Sequence, residues 1–196
     1  MEYEGIKFQT EFISNEVPIN SSLMELISWC RIFHEKKLAP PYPGGSYGNL
    51  SFRIESGNNS FIITGSRIGL KNCLSSSSFV EVVECDHLKR LVRLKGNINP
   101  SSETILHDAI YKDKPGINAI FHGHCKSILN NAQKLGLPET ATEQPYGTLE
   151  LVESVRKVID SNPILIMKNH GFISVAETMD KAGKQVLTIL KKLKET

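Results

Sequence analysis

A layered α/β/α domain built on a mainly antiparallel sheet is the fold class this sequence predicts, and three observations predict it. Apolar stretches of strand length recur along the chain; amphipathic helical segments are interleaved with them; and no Pro/Ser/Gly-rich linker or compositional break divides the 196 residues. One domain spanning residues 1–196 is therefore expected, long enough to bury a sizeable core.

The elements follow in order. Ser22-Leu23-Met24-Glu25 has capping-box spacing, and Leu26, Ile27, Trp29, Cys30 and Phe33 make one apolar helical face, which predicts a helix from Ser22 to Lys37. After the Pro- and Gly-rich turn at 40–45, Leu50, Phe52 and Ile54 alternate with polar residues. Phe61-Ile62-Ile63 follows a Gly-Asn-Asn turn, so the pair reads as a β-hairpin. Further strands are expected at Val80 to Val83, Arg90 to Leu94, Ile117 to His122 and Ile164 to Met167. Further helices are expected at Glu103 to Tyr111, Ser127 to Leu135, Leu149 to Asp160, and Ala176 to the C-terminus. The serine run 75–78 reads as a loop or a helix cap.

Composition narrows the function. Lys and Arg total 23 against 21 Asp and Glu, a net charge of +2, and the basic residues are scattered except for Lys191, Lys192 and Lys194 in what reads as a solvated helix end. No nucleic-acid partner is implied. Cys30, Cys73, Cys85 and Cys125 form no CxxC and follow no signal peptide, which points to a reduced, cytoplasmic setting. No apolar stretch is long enough for a bilayer, so no membrane role is expected.

The sharpest chemical signal is His122-Gly123-His124 at the end of an apolar run. Side chains at i and i+2 of a strand share a face, so both imidazoles can reach one ion. A second apolar run, Ile164 to Met167, leads to Asn169-His170-Gly171 and a third imidazole. Three neutral imidazoles with a position left open suit Zn²⁺, or another divalent ion. Cys125 adjoins the pair, but i and i+3 face opposite ways on a strand, so a buried thiol is expected unless the chain turns there.

Three segments offer donors to an anion. Ser101 and Ser102 precede a helix whose first turn would hold Glu103. Gly48 and Asn49 lie in a glycine-rich turn, and Thr64-Gly65-Ser66 forms another, followed by Arg67. Each is also an ordinary cap or loop, and Arg67 alone reads as surface charge; the argument lies in their convergence.

The order and spacing of Gly48-Asn49-Leu50-Ser51, Ile63-Thr64-Gly65-Ser66, Pro100-Ser101-Ser102-Glu103, the His107 to Pro115 stretch, His122-Gly123-His124 and Asn169-His170-Gly171 resemble the class II aldolase/adducin family. That family includes fuculose-phosphate aldolases, ribulose-phosphate 4-epimerases and methylthioribulose-phosphate dehydratases. The resemblance implies His122, His124 and His170 as ligands of Zn²⁺, and Glu103 as an acid/base able to ligate the ion when substrate is absent. It implies Gly48, Asn49, Thr64, Gly65, Ser66, Ser101 and Ser102 as the cradle for a substrate phosphate. The implied activity is that of a lyase acting on a small phosphorylated sugar through a metal-stabilised enediolate, with a carboxylate of raised pKa moving the proton. A homotetramer is implied as well.

Two departures from the family pattern stand out. The stretch between His124 and Pro145-Tyr146-Gly147-Thr148 is shorter than in fuculose-phosphate aldolases, and no late tyrosine follows, which leaves Tyr146 as the candidate proton donor or as packing. Gly65 stands where many relatives have proline. Dehydration, epimerisation, and a non-catalytic adducin-like binding module are the alternative readings.

Overall fold

The computed structural model describes residues 5–160 and 162–195. Its centre is an eight-stranded sheet. In chain order the strands are β1 (Gln9–Ser14), β4 (Asn49–Arg53), β5 (Phe61–Thr64), β6 (Phe79–Asp86), β7 (Leu91–Lys95), β8 (Ala119–Gly123), β9 (Ile164–Met167) and β10 (Gly171–Ala176); β2 (Pro41–Tyr42) and β3 (Gly45–Ser46) form a separate small ribbon. The spatial order is β1-β7-β6-β5-β4-β8-β10-β9, antiparallel throughout except for the parallel pair β1–β7. The α/β architecture with a largely antiparallel sheet is the one the sequence predicts.

Helices α1 (Leu23–Glu35), α3 (Lys126–Asn130) and α5 (Met179–Lys194) cover one face, while α2 (Thr104–Asp113) and α4 (Leu149–Ile159) cover the other. Strand alternation divides the core accordingly. In β8, Ala119 and Phe121 join the α1/α5 layer and Ile120 joins the α2/α4 layer. Phe121 receives Phe33 edge-on at 5.5 Å and Trp29 at 5.8 Å.

Trp29 also packs on Gly183, where a Cβ would lie 2.2 Å from the indole ring. Glycine inside a helix normally costs about 1 kcal/mol relative to alanine. Here the overlap reverses the sign, and Gly183→Ala is expected to destabilise the fold by about 1–3 kcal/mol, read as a lower urea midpoint. A midpoint at or above that of the wild type would show that Trp29 can move aside.

Several boundaries differ from expectation. Ser22 has helical dihedrals and caps nothing with its hydroxyl; the Asn20 side chain instead accepts the Ser22 N–H at 2.9 Å, so the capping-box pattern is present but unused. Two strands of the main sheet, β1 and β10, lie where none was expected, and the turn expected at 40–45 carries the short β2–β3 ribbon. β10 runs to Ala176, so the last helix begins only at Met179, where the Thr178 hydroxyl accepts the Lys181 N–H. The helix expected from Ser127 to Leu135 stops at Asn130 and continues as turns. Thr104 begins α2 and Glu103 stands at its N-cap, one position outside the first turn. Ser75 to Ser78 form a short 3₁₀ turn closed by reciprocal serine contacts, as a cap would.

Candidate metal and acid/base site

Strand β4 and helix α2 build the site as a polar ladder. Asn49, Ser51 and Arg53 alternate onto one face of β4, and Glu103, His107 and Tyr111 fall at four-residue spacing on α2. The rungs meet in order. Asn49 Nδ2 donates to Glu103 Oε2 at 2.9 Å, and Ser51 Oγ lies 2.7 Å from His107 Nδ1 and 2.8 Å from the Tyr111 hydroxyl. Arg53 closes the far end, donating to Tyr111 O at 2.7 Å and to Ile117 O at 3.0 Å. Replacing one partner of so buried a ladder leaves the other unsatisfied, so α2 is held in a single register against the sheet.

Register then delivers the imidazoles. Asn49 pairs directly across from His122 in the β4–β8 ladder, so both face α2. Gly48 is what allows the close approach: its φ is +77°, and a Cβ there would sit 2.5 Å from the His122 carbonyl oxygen. His124 follows two residues on, its N–H bonded to Leu38 O at 2.8 Å. His170 arrives from the tight turn between β9 and β10, where Asn169 adopts φ +56° and the His170 N–H returns to Met167 O at 3.0 Å.

The candidate ligand atoms of His122, His124 and His170 all lie within 4.8 Å of one another. Glu103 reaches the same point, Oε2 at 3.0 Å from His122 Nε2 and Oε1 at 3.1 Å from His170 Nε2. A carbonyl cannot donate, so His122 Nδ1, 2.8 Å from Phe172 O, must carry the hydrogen. Neutral His122 therefore presents an Nε2 lone pair to a carboxylate oxygen and to His124 Nε2 at 2.9 Å. Lone pairs converging in this way call for a cation between them, and the donor set fits a divalent ion. Cys125 is not part of the group. The chain turns after Gly123, which leaves its thiol half-exposed on the cavity wall, 3.1 Å from Ser127 Oγ, rather than buried.

Burial sets the protonation states. It drives the His122 imidazole down to about 4 and His124 well below its ordinary value, so both are free to ligate at neutral pH. For Glu103, burial pushes the carboxyl up, but the positive charge that His122 takes up in acid, the neighbouring His170 and the Asn49 amide outweigh it and hold it below the usual range. The sequence-based expectation of a raised carboxyl is thus corrected: Glu103 rests ionised, ready to accept a proton.

His107 is driven down to about 3 by burial. The unfolded chain takes up this proton near 6.5, whereas the folded chain resists it until about 3. Stability is therefore full above the unfolded value and falls as pH drops below it, by up to about 1.4 kcal/mol per pH unit from this residue alone. Urea midpoints measured at several pH values between about 7 and 4 should fall steeply in wild type and less steeply in His107→Asn. Equal slopes in the two proteins would show that His107 does not carry the effect.

Asn49, Glu103, His122, His124 and His170 line one wall of a cavity of about 800 Å³. Of the residues singled out from sequence, Gly48, Asn49, Gly65, Ser66, Ser101, Ser102, Glu103, His122, His124, Tyr146 and His170 all reach it. Thr64 does not: it is buried and its hydroxyl accepts the Leu50 N–H at 3.3 Å. Two of the three anion segments are clamped together, Ser66 N–H to Asn99 O at 2.8 Å and Ser101 N–H to Thr64 O at 3.1 Å, and Arg67 reaches the cavity as well. Tyr146 is half-buried, with Lys7 Nζ 4.3 Å from its ring centroid. Sequence reading gave no role to Tyr47 or Lys71, since no local pattern marks a tertiary contact, and it named the His107 region without finding its ladder.

The sheet of this α/β domain thus brings three imidazoles and a carboxylate to a single cavity, a cluster capable of coordinating a divalent ion. The chain matches the Class II Aldolase and Adducin N-terminal domain over residues 24–194, and it belongs to that family. An L-fuculose phosphate aldolase of Methanococcus maripaludis (strain C7) is 32% identical over 178 residues, covering 82% of this chain and 87% of the relative. A methylthioribulose-1-phosphate dehydratase of Leptospira biflexa is 28% identical over 149 residues, covering 75% of this chain and 66% of the relative. A sugar-phosphate aldolase structure from Thermotoga maritima shares the fold, with a TM-score of 0.71 at 17% identity over 88% of this chain and 92% of its own.

Proposed function

We propose that the chain is a zinc-dependent aldehyde-lyase of the class II aldolase type, acting on a small phosphorylated sugar. The observation that carries this reading is the meeting of the His122, His124 and His170 ligand atoms with the ionised Glu103 carboxylate at one cavity wall. A divalent ion held there would supply a Lewis acid for the substrate's carbonyl and hydroxyl oxygens. Glu103 returns a proton to the substrate carbon freed by cleavage and accepts it in the reverse and exchange directions, with Asn49 fixing its orientation. Ser66, Ser101, Ser102 and the backbone at Gly48 and Gly65 receive the phosphate, the α2 N-terminus adds attraction, and Thr64 shapes their turn from behind. Asn49 Nδ2 keeps a second hydrogen for the phosphate while the first is donated to Glu103. We further propose a cytoplasmic homotetramer, on family resemblance; among the described residues no helix is long and apolar enough to cross a membrane.

Dehydration or epimerisation is the second reading, and one observation favours it. Cleavage needs a second group at the oxygen that becomes the aldehyde, to take the hydroxyl proton as the C–C bond breaks and return it in the reverse direction, and within this chain Tyr146, its ring under Lys7, is the candidate. Abstraction of a proton beside a carbonyl needs only the one base. Deuterium uptake into dihydroxyacetone phosphate in D₂O is therefore expected to survive in Tyr146→Phe, while cleavage of ketose phosphates falls at least about 10²-fold. Cleavage that ignores the substitution would remove Tyr146 from the mechanism. A zinc-loaded protein that shows neither exchange nor cleavage would favour dehydration, or the non-catalytic module.

A further inference from the structure

Lys71 is an internal cation with no counter-charge. Its residue is 1% exposed, and among the described residues no carboxylate pairs with it. A lysine so placed is rare and costly unless every donor is used. All three are used, and on one short segment: Nζ donates to Ser46 O at 3.2 Å, Ser46 Oγ at 3.1 Å and Tyr47 O at 3.2 Å. Ser46 Oγ passes its own hydrogen to Gly69 O at 3.0 Å, which ties the segment back to the loop that carries Lys71. Lys71 does not line the cavity, so it is not placed to form a covalent adduct with a carbonyl substrate.

What that segment carries is Tyr47. Its ring lies against the His124 imidazole, centroids 4.9 Å apart and planes at 31°, and is backed by Tyr42 at 4.8 Å. The contrast with His122 is informative. His122 is oriented by a hydrogen bond from Nδ1 to Phe172 O, whereas among the described residues His124 Nδ1 makes none. Metal-bound imidazoles ordinarily take their orientation from such an outer contact. Apart from the other two imidazoles, the ring packed against His124 among the described residues is that of Tyr47.

We propose that Lys71 is a positioning residue for the metal site: its buried ammonium fixes the Ser46–Tyr47 turn, and the Tyr47 ring then holds His124 in ligating orientation. This rests on the reading of His122, His124 and His170 as metal ligands. The test is a Co²⁺ titration of the metal-free protein, followed by the visible absorption of the bound ion, which reports coordination geometry without any turnover. Lys71→Met and Tyr47→Ala are each expected to weaken Co²⁺ binding about 10-fold or more and to shift the absorption, as loss of an outer-shell contact does. The double variant should be little worse than either single variant, because both break the same linkage. Tyr47→Phe keeps the ring and should bind as wild type. Wild-type affinity and spectrum in Lys71→Met would overturn the proposal, and so would losses that simply add. Should Lys71→Met fail to fold, the contrast of Tyr47→Ala with Tyr47→Phe decides: equal affinities overturn it. Should wild type take up no Co²⁺, the three-imidazole reading is what fails. Lys71 is then judged by hydrogen exchange of residues 45–49 in Lys71→Met, or in Lys71→Gln if the Met variant does not fold. Faster exchange supports the anchoring role, and unchanged protection overturns it.

Discussion

Purified protein is expected to carry about one divalent ion per chain, and His122→Ala to lose nearly all of it. Of the three imidazoles, His122 is the best prepared. It is 1% exposed, its Nδ1 hydrogen is committed to Phe172 O, and its Nε2 faces both His124 and Glu103. Removing it takes away one of three protein ligands, and the total binding energy of a structural zinc site implies an affinity loss on the order of 10²–10³-fold. It also leaves Glu103 beside a void. Elemental analysis after dialysis against a weak chelator reads the outcome directly. Equal metal content in the two proteins would mean that the three histidines are a packed cluster and nothing more, and the lyase reading would lose its foundation.

The parts of this site that were legible in sequence are the local ones. The alternation of Leu50 and Phe52 with polar neighbours marks β4, and the same period of two makes His122 and His124 neighbours in space. Strand β1 was not legible because Gln9–Ser14 is a mostly exposed edge segment with no buried face to impose alternation, and its only partner, β7, lies far away in sequence. Strand β10 was missed for the opposite reason. Gly171–Ala176 is buried at every position, so it shows no period of two, and it runs close up to the last helix. The polar ladder needed both the strand period of Asn49, Ser51 and Arg53 and the four-residue period of Glu103, His107 and Tyr111, and nothing in either segment says that they face each other. Lys71 is the extreme case, since a lone lysine in a loop reads as solvated until the fold closes over it.

Glu103→Gln is expected to lower turnover by at least about 10²-fold while the metal stays bound, and it separates proton transfer from every other role this residue has. The wild-type carboxylate does several things at once. It accepts the Asn49 amide at 2.9 Å, sits at the N-cap of α2, and faces His122 and His170 at 3.0 and 3.1 Å. Glutamine preserves the size and can turn its carbonyl toward Asn49, with its amide toward a ring nitrogen, so the ladder is not lost. What it cannot do is take up a proton at neutral pH. The carboxylate can, because it stays ionised at neutral pH in spite of its burial, with the Asn49 amide donating to it. Loss of turnover with unchanged KM and unchanged metal content would therefore assign the proton to Glu103, since an interaction made only in the transition state lowers kcat and kcat/KM together. If turnover is unchanged, Glu103 is an orienting partner for Asn49 and the imidazoles, and the base must be sought elsewhere on the cavity wall. If turnover and metal are lost together, the carboxylate acts chiefly as a ligand, and the resting site binds the ion through four side chains rather than three.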